Sequence, residues 1–346
     1  MAPTMKEVAA RAGVSTKTVS RVVNHHPSIS DDARSRVRRA IEDLGWTPNA
    51  HARSLRTGRT GLIGLSVVDL KAPTSARLAQ ALVLEAERMG LRVSIEPSRG
   101  RADRVRQTLS SRGALFDAVV HLGPLPPTLD PPAFDPAHPV IGLCTGSPPE
   151  ALGSLTMDTI DNDEIAAARS LTRHLRMVRR DEVVLLGRET SLPDNFLAEL
   201  IRSFPGAPVL RPSAVPDQSS AHLADRAAGR RLASVALEKH PWARALVCAD
   251  DELAVGALSL LRERSLEVPG RIALTGYGNI DDGRFSTPSL TTIDLDIPEI
   301  ARRTVELISR RIAGHDDGPA RTVIPTTLIR AESTLGATRT ESWTHR

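Results

Sequence analysis

Thr4-Met5-Lys6-Glu7-Val8-Ala9-Ala10-Arg11-Ala12-Gly13-Val14-Ser15-Thr16-Lys17-Thr18-Val19-Ser20-Arg21-Val22-Val23-Asn24 reads as two short helices and the turn between them. Thr4 followed three residues later by Glu7 is a capping-box pattern, in which hydroxyl and carboxylate satisfy each other's backbone N–H groups. A first helix therefore starts at Met5, with Val8, Ala9 and Ala12 on its inner face. Gly13 supplies the positive φ of a tight turn. Ser15 then caps a second helix. On that helix Val19, Val22 and Val23 share one face, and Thr16, Lys17, Ser20, Arg21 and Asn24 share the other. Two helices joined in this way form a helix-turn-helix. On spacing alone it is equally an ordinary two-helix corner with a solvated outer face.

The flanking sequence separates the two readings. Ser30-Asp31-Asp32 begins a third helix with acidic residues at its positive end, and Ala33, Val37, Ile41 and Leu44 form its apolar stripe. Next come Gly45-Trp46-Thr47-Pro48-Asn49 and Ala50-His51-Ala52-Arg53-Ser54-Leu55-Arg56-Thr57-Gly58, where Asn49 can cap a short helix that Gly58 ends. Together these residues resemble the headpiece of the LacI/GalR family of bacterial transcriptional regulators: Glu7-Val8-Ala9, Ala12-Gly13-Val14-Ser15, Thr18 to Asn24, Leu44 to Asn49 and Ala52 to Leu55.

The resemblance implies a homodimer that sets two headpieces on a pseudo-palindromic DNA operator, each second helix in a major groove. Thr16, Lys17 and Ser20 are the candidates for base readout, since an ammonium can donate to guanine and a threonine methyl can meet that of thymine. Ser15, Thr18, Arg21 and Asn24 are candidates for holding phosphates, and Thr4 is a further candidate DNA contact. The segment from Asn49 resembles the family's hinge helix, with Ala52 and Leu55 entering the minor groove and Leu55 as the wedge. Charge agrees. Residues 1–60 carry eleven Lys or Arg against five Asp or Glu, whereas the rest of the chain carries thirty-four against thirty-six. The basic excess lies where phosphates would be neutralised.

After Gly58-Arg59-Thr60 the pattern changes. Gly61 to Leu70 reads as a buried strand and Ser75 to Met89 as a helix. Strands near Val93, Ala118 and Val140 follow, with a helix over 102–112. A second round runs through a helix at Ile165–Leu175, strands near Val183 and Val209, and helices near Asn195 and over 221–238. It closes with strands at Ala245 and Ile272 around a helix from Glu252. Such alternation implies parallel sheets flanked by helices. The expected fold is thus an all-α headpiece followed by an α/β core of two doubly wound parallel-sheet lobes, with ligand bound beyond the strand ends.

The core carries the same resemblance. Asp250-Asp251-Glu252-Leu253-Ala254-Val255-Gly256-Ala257 resembles the family's N-D-x-x-A-x-G-A motif, and Arg330-Ala331-Glu332-Ser333-Thr334 its carboxyl-terminal signature. The implied architecture is that of periplasmic sugar-binding proteins, with three crossovers between lobes. The expected divisions are a headpiece at 1–57 with its hinge over 49–57, a core at 61–335 and a polar tail at 336–346. Within the core, 61–157 and 290–319 would form the first lobe, and 158–288 and 321–335 the second. The tail has no leucine heptads, so a dimer is expected and a tetramerising helix is not.

Departures concern the effector. Where the family usually has an aromatic-containing stretch after the first strand, this sequence reads Ala72-Pro73-Thr74-Ser75, and the arginine with which the family commonly fixes its effector is replaced near Pro193-Asp194-Asn195-Phe196. The G-[FY]-D-D motif reads Gly276-Tyr277-Gly278-Asn279. Losing an aromatic and a guanidinium removes a stacking surface and a bidentate clamp. Asp251, Asn195 and Ser75 are the candidate effector contacts, with a helix-end carboxylate that only caps as the lesser alternative for Asp251. A sugar is the effector the resemblance implies, with a non-sugar effector or none as the alternative.

Nothing points to catalysis: there is no Gly-x-Ser-x-Gly elbow, phosphate loop or paired-histidine metal spacing. The acidic run Asp158-Thr159-Ile160-Asp161-Asn162-Asp163-Glu164 lacks the glycine of a calcium loop and has Arg169 at the twelfth position. No cofactor or metal is implied. Cys144 and Cys248 read as buried free thiols. Without an apolar leader or membrane-length run, the cytoplasm is the expected compartment, and a periplasmic binding protein would not carry the headpiece.

Overall fold

The computed structural model describes residues 3–23, 29–46, 58–144, 156–188, 195–212 and 226–336. The chain divides into two compact units, Met1–Thr60 and Gly61–Arg346.

In the first unit, α1 (Met5–Ala12) starts on the expected capping box: Thr4 N donates to Glu7 Oε2 at 2.6 Å and Glu7 N donates to Thr4 Oγ1 at 3.4 Å. It ends at Gly13 in the left-handed region, φ 64, where any Cβ would be penalised. The second helix, α2 (Thr16–Val23), starts on Ser15, whose hydroxyl accepts from Thr18 N at 3.1 Å. Ser30 caps α3 (Asp31–Leu44), and Gly45 ends it. Val8, Ala9, Ala12, Val19, Val22, Val37, Ala40 and Trp46 form the core, with Val23, Ile41 and Leu44 packed at its edge. Ala40 takes the buried place expected of Ala33, which is only half-buried.

The second unit is built on two parallel sheets. One uses β1 (Leu62–Val67), β2 (Arg92–Pro97), β3 (Ala118–Leu122), β4 (Val140–Leu143), β5 (Asp158–Asn162) and β11 (Arg321–Ile324), in the order β11-β5-β4-β3-β1-β2. The helices interleaved with its strands are α4 (Pro73–Arg88), α5 (Ala102–Ser110) and α11 (Ile297–Ile312), and α11 packs on α4. The other sheet uses β6 (Val183–Leu186), β7 (Val209–Leu210), β8 (Ala245–Cys248) and β9 (Ala273–Thr275), in the order β7-β6-β8-β9. Its helices are α6 (Glu164–Met177), α7 (Asn195–Ser203), α8 (Arg226–Lys239), α9 (Asp251–Glu263) and the short α10 (Asp281–Arg284). A small antiparallel pair, β10 (Thr292–Asp294) with β12 (Thr327–Ile329), lies in the returning chain, which ends in α12 (Glu332–Leu335).

Two lobe boundaries differ from expectation. Residues 158–162 were assigned to the second lobe, yet β5 pairs with β4 in the first sheet. Residues 321–324 were placed there too, yet β11 pairs in parallel with β5 through Arg321↔Thr159 to Ile324↔Asn162. The reason is electrostatic. Asp158 is fully buried and accepts from Arg311 Nε at 3.0 Å and Nη2 at 2.7 Å, and from Ala320 N at 2.8 Å. Asp161 meets Arg321 Nε at 3.4 Å. Buried carboxylates survive when paired and hydrogen-bonded, so an acidic run becomes an interior strand. Among the described residues no helix is long and apolar enough to cross a membrane.

Helices α8 and α9 pack almost backbone to backbone. A Cβ on Gly256 would lie 1.9 Å from Arg226 O, and one on Gly229 would lie 2.1 Å from Leu253 O. Backbone cannot yield as a flexible side chain can. Gly256→Ala is therefore expected to cost about 1–3 kcal/mol. For a core of this size that lowers the melting temperature by about 2–4 °C per kcal/mol, measurable by calorimetry; an unchanged melting temperature would show that the helices separate freely.

Candidate nucleic-acid interface and effector cleft

On α2 the buried Val19 and Val22 turn one side inward. Ser15, Thr16, Lys17 and Arg21 are exposed, and Thr18 and Ser20 are half-buried. A helix held by one apolar face thus presents a hydroxyl, an ammonium and a guanidinium on the other. Ser15 Oγ lies 2.9 Å from Thr18 Oγ1, so these two hydroxyls order the start of the helix. Thr4 is committed further: its amide and its hydroxyl, at 2.6 and 2.9 Å, both face the Glu7 carboxylate. These bonds hold the Glu7 carboxyl below its ordinary range and make Thr4 the cap of α1. Asn24, Asn49, Ala52 and Leu55 lie outside the described residues.

In the core, the carboxyl ends of strands from both sheets bring polar groups together. Cys144 follows β4 in a left-handed conformation, φ 52, with its thiol 3.7 Å from Asn162 Oδ1 at the end of β5. Desolvation, with Glu164 and Asp161 adding to it and Arg188 opposing it, pushes this thiol up to about 12. It is not a thiolate nucleophile at neutral pH. From the second lobe Arg188, just beyond β6, donates to Ala249 O at 2.9 Å and meets Asp250 Oδ2 at 3.2 Å. A guanidinium is therefore present at the strand ends after all. Sequence reasoning sought it near Asn195 and missed Arg188, because one arginine after a strand has no periodicity or spacing to mark it.

Asp251 is not the cap of its helix. The cap of α9 is Asp250, whose Oδ1 accepts from Leu253 N at 2.8 Å. Asp251 is 1% exposed, and its oxygens accept from Thr292 Oγ1 at 2.6 Å and Ile280 N at 2.9 Å. It ties the second lobe to the returning chain instead of facing an open cleft. The other two candidates border the same loop, 276–280. Asn195 opens α7, whose next residue Phe196 lies 4.8 Å, ring to ring, from Tyr277. Ser75 is half-buried in the first turn of α4, beside Thr74, which approaches Gly278. The loop gathers the neighbours of all three positions, while Arg188 and Asp250 supply the accessible charge.

The combination of a helix-turn-helix unit with a two-lobed α/β core of the binding-protein type defines a class of ligand-responsive DNA-binding regulators. Residues 4–49 match the model of bacterial regulatory proteins of the lacI family, and residues 172–334 match the periplasmic binding protein-like domain. A solved structure assigned to the LacI family of transcriptional regulators, from Sanguibacter keddieii, is 31% identical, with 80% of this chain and 99% of that one covered and a TM-score of 0.66. The chain belongs to the LacI family of transcriptional regulators. It is also 28% identical over 343 residues to the HTH-type transcriptional regulator GalR of Salmonella typhimurium, with 97% of each chain covered. A lac repressor dimer bound to operator and the anti-inducer ONPF shares the fold, with a TM-score of 0.73 at 22% identity over 96% of this chain and 99% of that one.

Burial pushes the Asp251 carboxyl up to about 7, against the opposing hydrogen bonds from Thr292 and Ile280. Its folded-state value is raised. Between the ordinary 3.8 and about 7, the folded protein therefore holds a proton that the unfolded chain has released. Stability from this group is fully present at the acid end of that window and falls as pH rises through it, by up to about 4 kcal/mol. Asp251→Asn keeps an acceptor for Ile280 N–H and can donate to the Thr292 hydroxyl, so it should flatten this part of the profile. Urea unfolding across the window tests it, and an unaltered slope would remove Asp251 as its source.

Proposed function

We propose that the protein works as a homodimeric repressor on a pseudo-palindromic operator and is released by a small polyhydroxylated effector, a sugar by preference, bound between the lobes of the core. The observation that carries the DNA reading is the outward face of α2, with Thr16, Lys17 and Arg21 exposed above a buried apolar face. A helix of this kind fits a major groove, and a two-fold dimer explains why half-sites would come in pairs.

Lys17, Thr16 and Ser20 then read base edges, while Ser15, Thr18, Arg21 and Asn24 fix the register on phosphates. The segment 49–56 pairs with its copy, so that Ala52 and Leu55 enter the minor groove and Leu55 opens the central base step. For the effector, the guanidinium of Arg188 and the carboxylate of Asp250 supply a donor and an acceptor side by side, a pairing suited to vicinal hydroxyls. Effector binding shifts the regulator between states only through its unequal affinity for them.

Operator binding by the purified protein on its own upstream region, with and without a panel of sugars and other small metabolites, tests the whole reading. Release by one sugar supports it. Tight binding that no panel member alters would move the effector out of the sugar class. Lys17→Ala is expected to cost about 1–3 kcal/mol on the true operator and far less on random DNA; equal losses on both would make Lys17 a phosphate contact. Leu55→Ser is expected to weaken operator binding selectively, and unchanged discrimination between operator and random DNA would dispose of the wedge.

A further inference from the structure

The amino-terminal part of α4 belongs to the first lobe and the loop 276–280 to the second, and the two meet closely. Arg77 Nη1 donates to Gly278 O at 3.1 Å and to Asn279 O at 2.6 Å. Gly278 has φ 127, and a Cβ built on it would stand 3.0 Å from Thr74 Oγ1. Asn279 follows in the left-handed region at φ 49, with 8% of its surface exposed and its Oδ1 buried without a hydrogen-bond partner. Glycine takes this φ readily, whereas the left-handed conformation of Asn279 and its unsatisfied buried acceptor persist only where the surroundings hold them. The visible holders are Arg77 on one side and the returning strand on the other, where Gly278 N donates to Ile293 O at 2.8 Å and Asn279 N to Thr292 Oγ1 at 3.3 Å.

We propose that Arg77 is a built-in bridge that fastens the two lobes together at the base of the cleft before any effector binds, with Gly278 as the residue that lets it close. A guanidinium carries several N–H donors in a fixed fork, and one nitrogen here spans two successive carbonyls across the lobe boundary. Glycine at 278 leaves room for α4 to come up to the loop, and it puts no side chain into the cleft. The closed arrangement is therefore favoured by a contact within the chain, so an effector has less closure to drive and little to gain from position 278. Arg77 acts as a positioning residue. The inference rests on the two-lobed core alone, and its failure would leave the DNA-binding reading untouched.

Hydrogen exchange on the full-length protein, without DNA or added ligand, tests it. Amides over 74–80 and 276–283 are expected to exchange slowly in the wild type. In Arg77→Ala both segments should exchange at least about tenfold faster while the interior strands keep their protection. Gly278→Ala, which drives a methyl against Thr74, should expose the same two segments. Arg77→Lys should restore part of the protection, because an ammonium can still reach a carbonyl. The double variant should lose little more than the more affected single one, since both remove one contact. Unchanged exchange in both segments of folded Arg77→Ala would overturn the bridge. So would a rise spread evenly over both lobes, which would make Arg77 a general stabiliser. Should Arg77→Ala fail to fold, Arg77→Lys and Gly278→Ala carry the same comparison.

Discussion

The core depends on a knot of buried hydrogen bonds where its last short helix meets the returning chain. Thr291 Oγ1 lies 2.7 Å from Thr334 Oγ1, which also faces His174 Nε2 at 2.8 Å. Ser333 Oγ donates to Leu274 O at 2.6 Å and accepts from Thr291 N at 2.8 Å. Asp251 extends the same knot through Thr292. Every one of these groups is buried, where an unmade hydrogen bond costs more than a made one contributes. Removing any member strands its neighbours. The second lobe and the returning chain are therefore held together at this point by bonds that neither can lose cheaply.

The interior chemistry of the two lobes differs in kind. The first lobe closes its sheet with ion pairs taken out of water, Asp158 with Arg311 and Asp161 with Arg321. The second packs α8 on α9 by omitting side chains at Gly229 and Gly256. Between them, the cleft end holds the charges that water can still reach, Arg188 and Asp250. Charge is used as a clamp in one place and left available for recognition in another, and burial distinguishes the two.

What the sequence made legible was local. The capping box of Thr4 and Glu7, the Ser15 cap and the glycine at 13 act within one turn of their helices, and the structure has them as expected. The apolar strands of both lobes were also readable, because continuous Val, Leu and Ile runs suit sheets covered on both faces. Residues 158–162 were not, since their partners lie some 150 residues further along and nothing in an acidic pentapeptide announces an arginine that distant. The same limit hid Arg188. It also left open which of Asp250 and Asp251 caps the helix: adjacent carboxylates at a helix start look alike in sequence, and only the packing of Thr292 and Ile280 decides which one is buried. Thr4 was legible as a cap, and both its amide and its hydroxyl face the Glu7 carboxylate.

The pairing of β5 with β11 also bears on how the chain is made. Strand β5 ends at Asn162, but its outer neighbour begins only at Arg321. A chain emerging from the ribosome therefore finishes its second sheet while the first still presents an open edge at β5, with Asp158 lacking the guanidinium of Arg311. Unpaired edges invite pairing with other chains, and long-range strand contacts are the slow ones to form. Asp158 and Asp161 lie on that strand, and the arginines they pair with, Arg311 and Arg321, are made only later. The acidic strand thus becomes an interior ion-pair element only after most of the chain has been made.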